Sequence, residues 1–259
     1  MAELPTPDSP EPPPSLLASA KSATRQLAQG ALRRLGFHRH AWRLGLAEEK
    51  WFWDRYLGSG GYRWPEEFRT RMSPGLELPR HLVELLPAPA GARVTVLDVG
   101  SGPLTCVGSK CSGREVTVVA VDPLAEWYAA LFAKHRVEPA VRPIACDAER
   151  LRSRFTDNSF DLVHARNCID HGVDPPRAIE EMLAVVKTGC HVVLDHAVNE
   201  AQKQRYRGLH QWNFFEKGGR FFVGGKRSSV DLSQALASRA EVRCDVGSDG
   251  WIRARLRKK

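Results

Sequence analysis

The chain reads as an α/β protein: a doubly wound, seven-stranded, mostly parallel sheet with a C-terminal antiparallel hairpin, plus an N-terminal helical extension. Three observations predict this. Short apolar runs alternate with segments of helical spacing from residue 94 to residue 195. The first three runs each lead into an acid: Asp98, Asp122 and Asp147. Two further short runs flank Gly247-Ser248-Asp249-Gly250, a strong hairpin signal.

The totals set the frame. With 259 residues and 42% hydrophobic content the chain can bury a full core. It carries no secretory leader pattern and no apolar run long enough to span a bilayer, so it reads as soluble and cytoplasmic. The six cysteines are scattered and read as reduced thiols. Net charge is +8 and uneven: residues 18–47 contain bases and no acid, and the chain ends in RARLRKK. Such a balance suits a solvated basic surface, or docking to an anionic partner.

Taken in order, residues 1–15 are Pro-rich and predict a disordered arm. Residues 16–90 predict a helical extension or cap. Within it, 16–46 carry apolar residues at helical spacing, with breaks expected near Gly30 and Gly36. Residues 47–72 are strongly aromatic: Trp51, Phe52, Trp53 and Tyr56 fall on one helix, Gly58, Gly60 and Gly61 end it, and Trp64, Pro65 and Phe68 start another. These aromatics can pack the cap on the domain, and can also wall a substrate pocket. A further helix is expected over 78–86, closed by Pro87, Pro89 and Gly91.

Residues 91–259 predict the main domain. Strand one is 94–99, with a helix opening near Pro103. Strand two is 116–121, followed by a helix over 123–135. Strand three is 140–145 and strand four 160–165. A loop over 166–173 leads to a helix over 175–186. Strand five is 191–195, after a turn at Thr188-Gly189. Beyond it, 199–207 and 230–239 read as helices, 209–226 as an aromatic, glycine-rich insertion, and 241–246 with 251–256 as the closing hairpin.

Ligands of open α/β sheets sit beyond the carboxyl ends of the strands. Asp98, Asp122, Asp147 and the loop from Arg166 to His171 all fall there, and Gly100 and Gly102 allow close backbone approach. A dinucleotide site needs Gly or Ala at position 105, where Thr105 stands. An acid two residues before the first glycine also suits an ammonium better than a pyrophosphate.

These residues, V-L-D-V-G-S-G at 96–102, Asp122, C-D-A at 146–148 and F-D-L-V-H-A-R-N at 160–167, resemble the class I S-adenosylmethionine-dependent methyltransferases. The resemblance covers about 90–256 and includes the terminal hairpin. It implies S-adenosyl-L-methionine as cofactor. By that likeness Asp98 serves its amino group, and Gly100, Ser101 and Gly102 pack along its methionine end. Asp122, with Pro123 beside it, holds the ribose hydroxyls. Asp147 and Ala148 meet the adenine, and Arg166 and Asn167 line the sulfonium side. The chain departs from the family in having Leu104 where a third glycine is common.

Methyl transfer to a hydroxyl calls for a base near neutrality, which histidine supplies. The candidates are His171 after strand four, His196 after strand five and His210 in the insertion. No metal is expected, since Cys106 and Cys111 have no second pair at ligand spacing. The reading favours a small-molecule or sugar-like acceptor, methylated at oxygen. Its rivals are an RNA or protein methyltransferase docking through the basic extension, and a non-catalytic binding protein. Nucleic acid is the less favoured partner, because R-N-C-I stands where base-methylating enzymes carry an N/D-P-P-Y/F signature.

Overall fold

A computed structural model describes residues 16–86 and 91–259, and for 16–21 the backbone only. The expected arm at 1–15 lies outside the described residues, as do Pro87 and Pro89.

Helix α1 (Leu16–Arg34) packs on α2 (His38–Gly58). The break falls at Gly36, whose φ of +82° only glycine adopts without strain. Gly30 does not interrupt α1. Helix α3 (Pro65–Met72) starts with Pro in its first turn and two acids, Glu66 and Glu67, at the positive end of its dipole. The helix expected over 78–86 shrinks to one turn, α4 (Arg80–Val83), although Leu78, Leu82 and Leu86 are all buried.

The main sheet begins with β1 (Arg93–Val99), a β-branched run buried along most of its length. A two-residue strand, β2 (Lys110–Cys111), pairs antiparallel with the start of β3 (Arg114–Asp122). Helix α5 (Ala125–His135) follows and stops at Arg136, which takes the left-handed conformation at φ +54°. Then come β4 (Ile144–Ala145) and β5 (Phe160–Arg166). Helix α6 (Pro175–Val185) is capped by Asp174, whose side chain accepts from the Arg177 N–H at 3.1 Å. It buries Ala178, Ile179, Met182 and Val185 at helical spacing. Strand β6 (Val186–Ala197) completes the parallel set.

A short helix, α7 (Glu200–Lys203), leads to β7 (Asn213–Lys217), β8 (Arg220–Gly224) and β9 (Ser229–Asp231), which form a separate three-stranded sheet. The one-turn α8 (Leu232–Ala235) precedes the closing hairpin of β10 (Ala240–Val246) and β11 (Trp251–Lys258). In the main sheet the order is β10-β11-β6-β5-β1-β3, with β4 pairing beyond β3. β11 runs antiparallel to β6, and β6, β5, β1, β3 and β4 are parallel. The expected seven strands and their directions are therefore present, with β2 added at an edge.

Several elements differ from expectation. Residues 100–109 form no helix after β1. Gly108 passes so close to the Leu76 and Glu77 carbonyls that a Cβ there would lie 2.1 Å and 2.3 Å from them. The sheet face left open is covered instead by Leu78, Leu82 and Leu86 against Val94, Val96 and Val193. Thr188-Gly189 does not precede strand five but bulges within it: Phe160 pairs with Val186, and Leu162 with His191. The insertion folds as a hairpin at Gly218-Gly219, both with positive φ, the conformation a two-residue hairpin turn demands. Residues 230–239, expected as a helix, instead contribute to β9 and the one-turn α8, and 199–207 give only the short α7. The insertion is not peripheral, because Phe214, Phe221 and Val223 join the core under β6 and β11.

Candidate functional site

The chain order reverses beside β1: β3 lies on one side and β5 on the other, so a crevice opens at their carboxyl ends. A cavity of about 560 Å³ occupies it. Asp98, Gly100, Ser101, Gly102, Asp122, Pro123, Asp147, Ala148, Arg166 and Asn167 all line it, and so do His171 and His210. His196 does not. It is 1% exposed and stacks on Phe214 with ring centroids 4.3 Å apart, because at its place in β6 it turns toward the second sheet. The sequence placed it correctly at a strand end and could not say which face it takes.

The glycine turn is shaped by its conformation. Gly100 and Gly102 have φ of +66° and +64°. A Cβ on Gly100 would stand 2.5 Å from Cys168 Sγ, and one on Gly102 2.9 Å from the Trp53 ring. The Gly102 N–H donates to Asp122 Oδ2 at 3.1 Å, and the Leu124 N–H to Asp122 Oδ1 at 2.8 Å. Burial raises the Asp122 pKa to about 6, against the pull of those two N–H donors and the Tyr128 hydroxyl.

Asp98 lines the cavity but is only 1% exposed. It accepts from Thr105 Oγ1 at 2.6 Å and pairs with His164 Nδ1 at 3.0 Å. On its far side His164 Nε2 is 3.4 Å from Asp195 Oδ2, and Asp195 also takes Arg253 Nε at 2.7 Å and His81 Nε2 at 3.2 Å. Burial disfavours the His164 cation, but hydrogen bonds to Asp195 and Asp98 outweigh it and lift the pKa to about 10. Thr105, which argued against a dinucleotide turn, thus acts as a hydroxyl donor to the motif's own acid.

The N-terminal helices form the opposite wall. Leu46, Glu49, Phe52, Trp53 and Tyr56 of α2 line the cavity with Trp64. The same aromatics pack on Leu124, Tyr128 and Leu131, so they serve both as packing and as wall. Arg39 bridges Asp147 at 2.8 Å and Glu149 at 3.0 Å, tying α2 across the end of β4.

At the insertion side, His171 Nε2 stands 3.1 Å from His210 Nδ1. Both nitrogens face Asp170 Oδ2, at 3.4 Å and 3.2 Å. His171 Nδ1 is 3.6 Å from Glu49 Oε1. Burial works to raise the Asp170 pKa, but His171, His196 and His210 together hold it well below the carboxylate range. Trp212 Nε1 donates to the Gly172 carbonyl at 3.1 Å, which fixes the insertion against this loop. Gln211 and Asn213 are spent on holding their own turn rather than on the cavity. Sequence reasoning missed Asp170, Glu49, Arg39 and His164. Asp170 had a signal, since it begins the D-H-x-x-D-P stretch; the others become neighbours only through the fold.

Residues 97–194 match the family model described as a methyltransferase domain. Those residues are a methyltransferase domain. The match runs from β1 to β6, so it contains the glycine turn, Asp122, Asp147, Asp170 and His171. The N-terminal helices, the second sheet and the closing hairpin lie outside it. Among curated proteins no sequence matches this chain. Solved structures similar to it include a Thermotoga maritima protein described as a possible histamine N-methyltransferase, with 18% identity, 80% of this chain and 98% of the other covered and a TM-score of 0.46. A SAM-dependent methyltransferase from Aquifex aeolicus has 16% identity, coverage of 72% and 90% and a TM-score of 0.43. The Burkholderia thailandensis 1,6-didemethyltoxoflavin-N1-methyltransferase has 18% identity, coverage of 70% and 77% and a TM-score of 0.39. None is similar enough to carry its acceptor across.

S-adenosyl-L-methionine is the cofactor of this methyltransferase domain, and the cavity residues fit it. The turn has no Cβ at either positive-φ position, and acids stand at the ends of β3 and β4.

Proposed function

We propose that this chain methylates a hydroxyl oxygen of a small, sugar-like acceptor. The observation that carries the reading is the shared cavity: residues expected for the cofactor and two of the three histidines expected for the acceptor, His171 and His210, line one space. Its volume of about 560 Å³ suits a small-molecule site. Residues 16–90 act as a cap on a methyl-transfer domain of 91–259.

In this proposal Asp122 accepts from the ribose hydroxyls with the lone pairs its two N–H donors leave free. Asp147 and Ala148 meet the adenine edge, and Arg39 orients the Asp147 carboxylate through their 2.8 Å bridge. Gly100 to Gly102, with Asp98 behind them, hold the methionine end, and Arg166 and Asn167 border the sulfonium side. When bound, the cofactor supplies a methyl group on a sulfonium carbon, ready for in-line displacement. His171 and His210 face the acceptor side, and one of them takes the hydroxyl proton as the oxygen–methyl bond forms and the sulfur–methyl bond breaks. Asp170 orients both rings. The wall of α2 excludes water and positions the acceptor.

A polymer acceptor is less well supported, because part of the basic extension is already engaged. Arg33 donates to the Gly208 carbonyl at 2.7 Å, and Arg39 holds two acids. Transfer of labelled methyl into a cell extract, with the product identified by mass, tests the proposal. An O-methylated small molecule supports it; label found only in RNA or protein would overturn it.

A further inference from the structure

The Asp170, His171 and His210 contacts hold more than a base and its orienter. Three atoms, Asp170 Oδ2, His171 Nε2 and His210 Nδ1, lie 3.1, 3.2 and 3.4 Å from one another. No placement of protons satisfies all three edges. A carboxylate oxygen only accepts, so each edge to Asp170 needs an N–H on that ring nitrogen. If both nitrogens carry hydrogens, two N–H groups oppose each other across 3.1 Å. If one does not, its edge to the carboxylate sets lone pair against lone pair. A cation between the three atoms resolves the conflict, because all three then present lone pairs to it.

The spacing fits such an ion. Metal–nitrogen bonds of about 2.0–2.1 Å in a tetrahedron set ligand atoms roughly 3.3 Å apart. The ligand types are those of open zinc sites, two imidazoles and a carboxylate with one position left free. A ligating histidine normally offers its other nitrogen to a carboxylate, and Glu49 lies 3.6 Å from His171 Nδ1. The Asp170 carboxylate is 1% exposed, whereas both histidine rings reach the cavity.

We infer that Asp170, His171 and His210 form a three-ligand site for a divalent cation of the zinc type, its open position facing the acceptor side of the cavity. This rests on the reading of that cavity as the acceptor site and deepens it. A cation there lowers the pKa of a hydroxyl taking the open position. With the ion bound, the two histidines serve as neutral ligands and the acceptor's proton passes to solvent, which replaces the imidazole base of the metal-free reading.

Metal binding is testable without any turnover. Full-length protein freed of metal with a chelator is titrated with Co²⁺ and followed by visible absorption. The expected result is one ion per chain, with the intense bands of a low-symmetry site, displaced by Zn²⁺. His171→Ala and His210→Ala should each weaken binding by at least about 100-fold, beyond the usual effect of losing an outer-shell partner. Glu49→Gln should weaken it about tenfold. His81→Ala, which alters the separate His81, His164 and Asp195 cluster, should leave it unchanged. Circular dichroism establishes folding, and having two ligand variants keeps the test decisive if one misfolds. Absence of the bands, their survival in both histidine variants, or their loss in His81→Ala would each overturn the site. Calorimetry with S-adenosyl-L-methionine on the same samples reads the cofactor reading separately.

Discussion

Asp122 is asked to be both buried and charged. Its folded pKa of about 6 stands above the ordinary 3.8, so in the free protein this group opposes folding above about pH 6, and the opposition fades as pH falls toward 3.8. Ribose hydroxyls need the ionised form as acceptor. Affinity for S-adenosyl-L-methionine should therefore be flat above about pH 7 and fall as pH drops through about 6, as calorimetry across pH can read. Asp122→Ala should weaken binding on the order of tenfold or more, since hydrogen bonds to a charged acceptor contribute about 1.5–3 kcal/mol each. His164 has the opposite sign. Its folded pKa of about 10 stands above 6.5, so its contribution is full below about pH 6.5 and is lost as pH rises toward 10. Thermal midpoints measured from pH 6.5 to 10 should fall more steeply for the native chain than for His164→Gln; equal slopes would remove His164 from the account. The acids at strand ends were legible because alternation of apolar runs marks where strands stop. His164 was not, because a histidine inside a buried strand has no local mark; only the pairing of β1, β5 and β6 sets it between Asp98 and Asp195.

At the scale of elements, the first crossover is where sequence and structure part. A helix was expected to follow the glycine turn, and residues 100–109 contain none. The work of covering the sheet passes to Leu78, Leu82 and Leu86, which come from before β1. Leu82→Ala, at 0% exposure, should then destabilise the fold by about 2–5 kcal/mol in urea denaturation, as for a central core position. A loss under about 1 kcal/mol would mean that the segment is merely laid on the sheet. The Arg39 bridge is a different case. Its side chain is 37% exposed, and pairs of that kind contribute about 0–1 kcal/mol. Arg39→Ala should leave global stability nearly unchanged and speed hydrogen exchange in α2. The insertion's aromatics and glycines are visible in the sequence, but Gly218-Gly219 lies between runs whose glycines and charges blur the alternation of a hairpin. The run 209–226 therefore reads as an aromatic, glycine-rich insertion, and its two strands of a second sheet emerge only in the fold.

The whole molecule places its cofactor turn, its aromatic cap and the Leu209-His210 loop that leads into the second sheet around one cavity. The main strands follow from local patterning, because most are short apolar runs and Asp98, Asp122 and Asp147 mark the ends of the first three expected. The cavity's far wall does not, because α2 and the 209–226 segment are brought to the β1 and β5 ends by packing between residues far apart in the chain, such as Arg33 and Gly208, 175 positions apart. The central claim is that this space binds S-adenosyl-L-methionine. Isothermal calorimetry near neutral pH tests it most directly, with NADH as the competing nucleotide. The account predicts one site per chain for S-adenosyl-L-methionine, lost or strongly weakened in Asp122→Ala, and no heat with NADH. No heat with S-adenosyl-L-methionine at high micromolar concentration, or binding indifferent to Asp122, would contradict it.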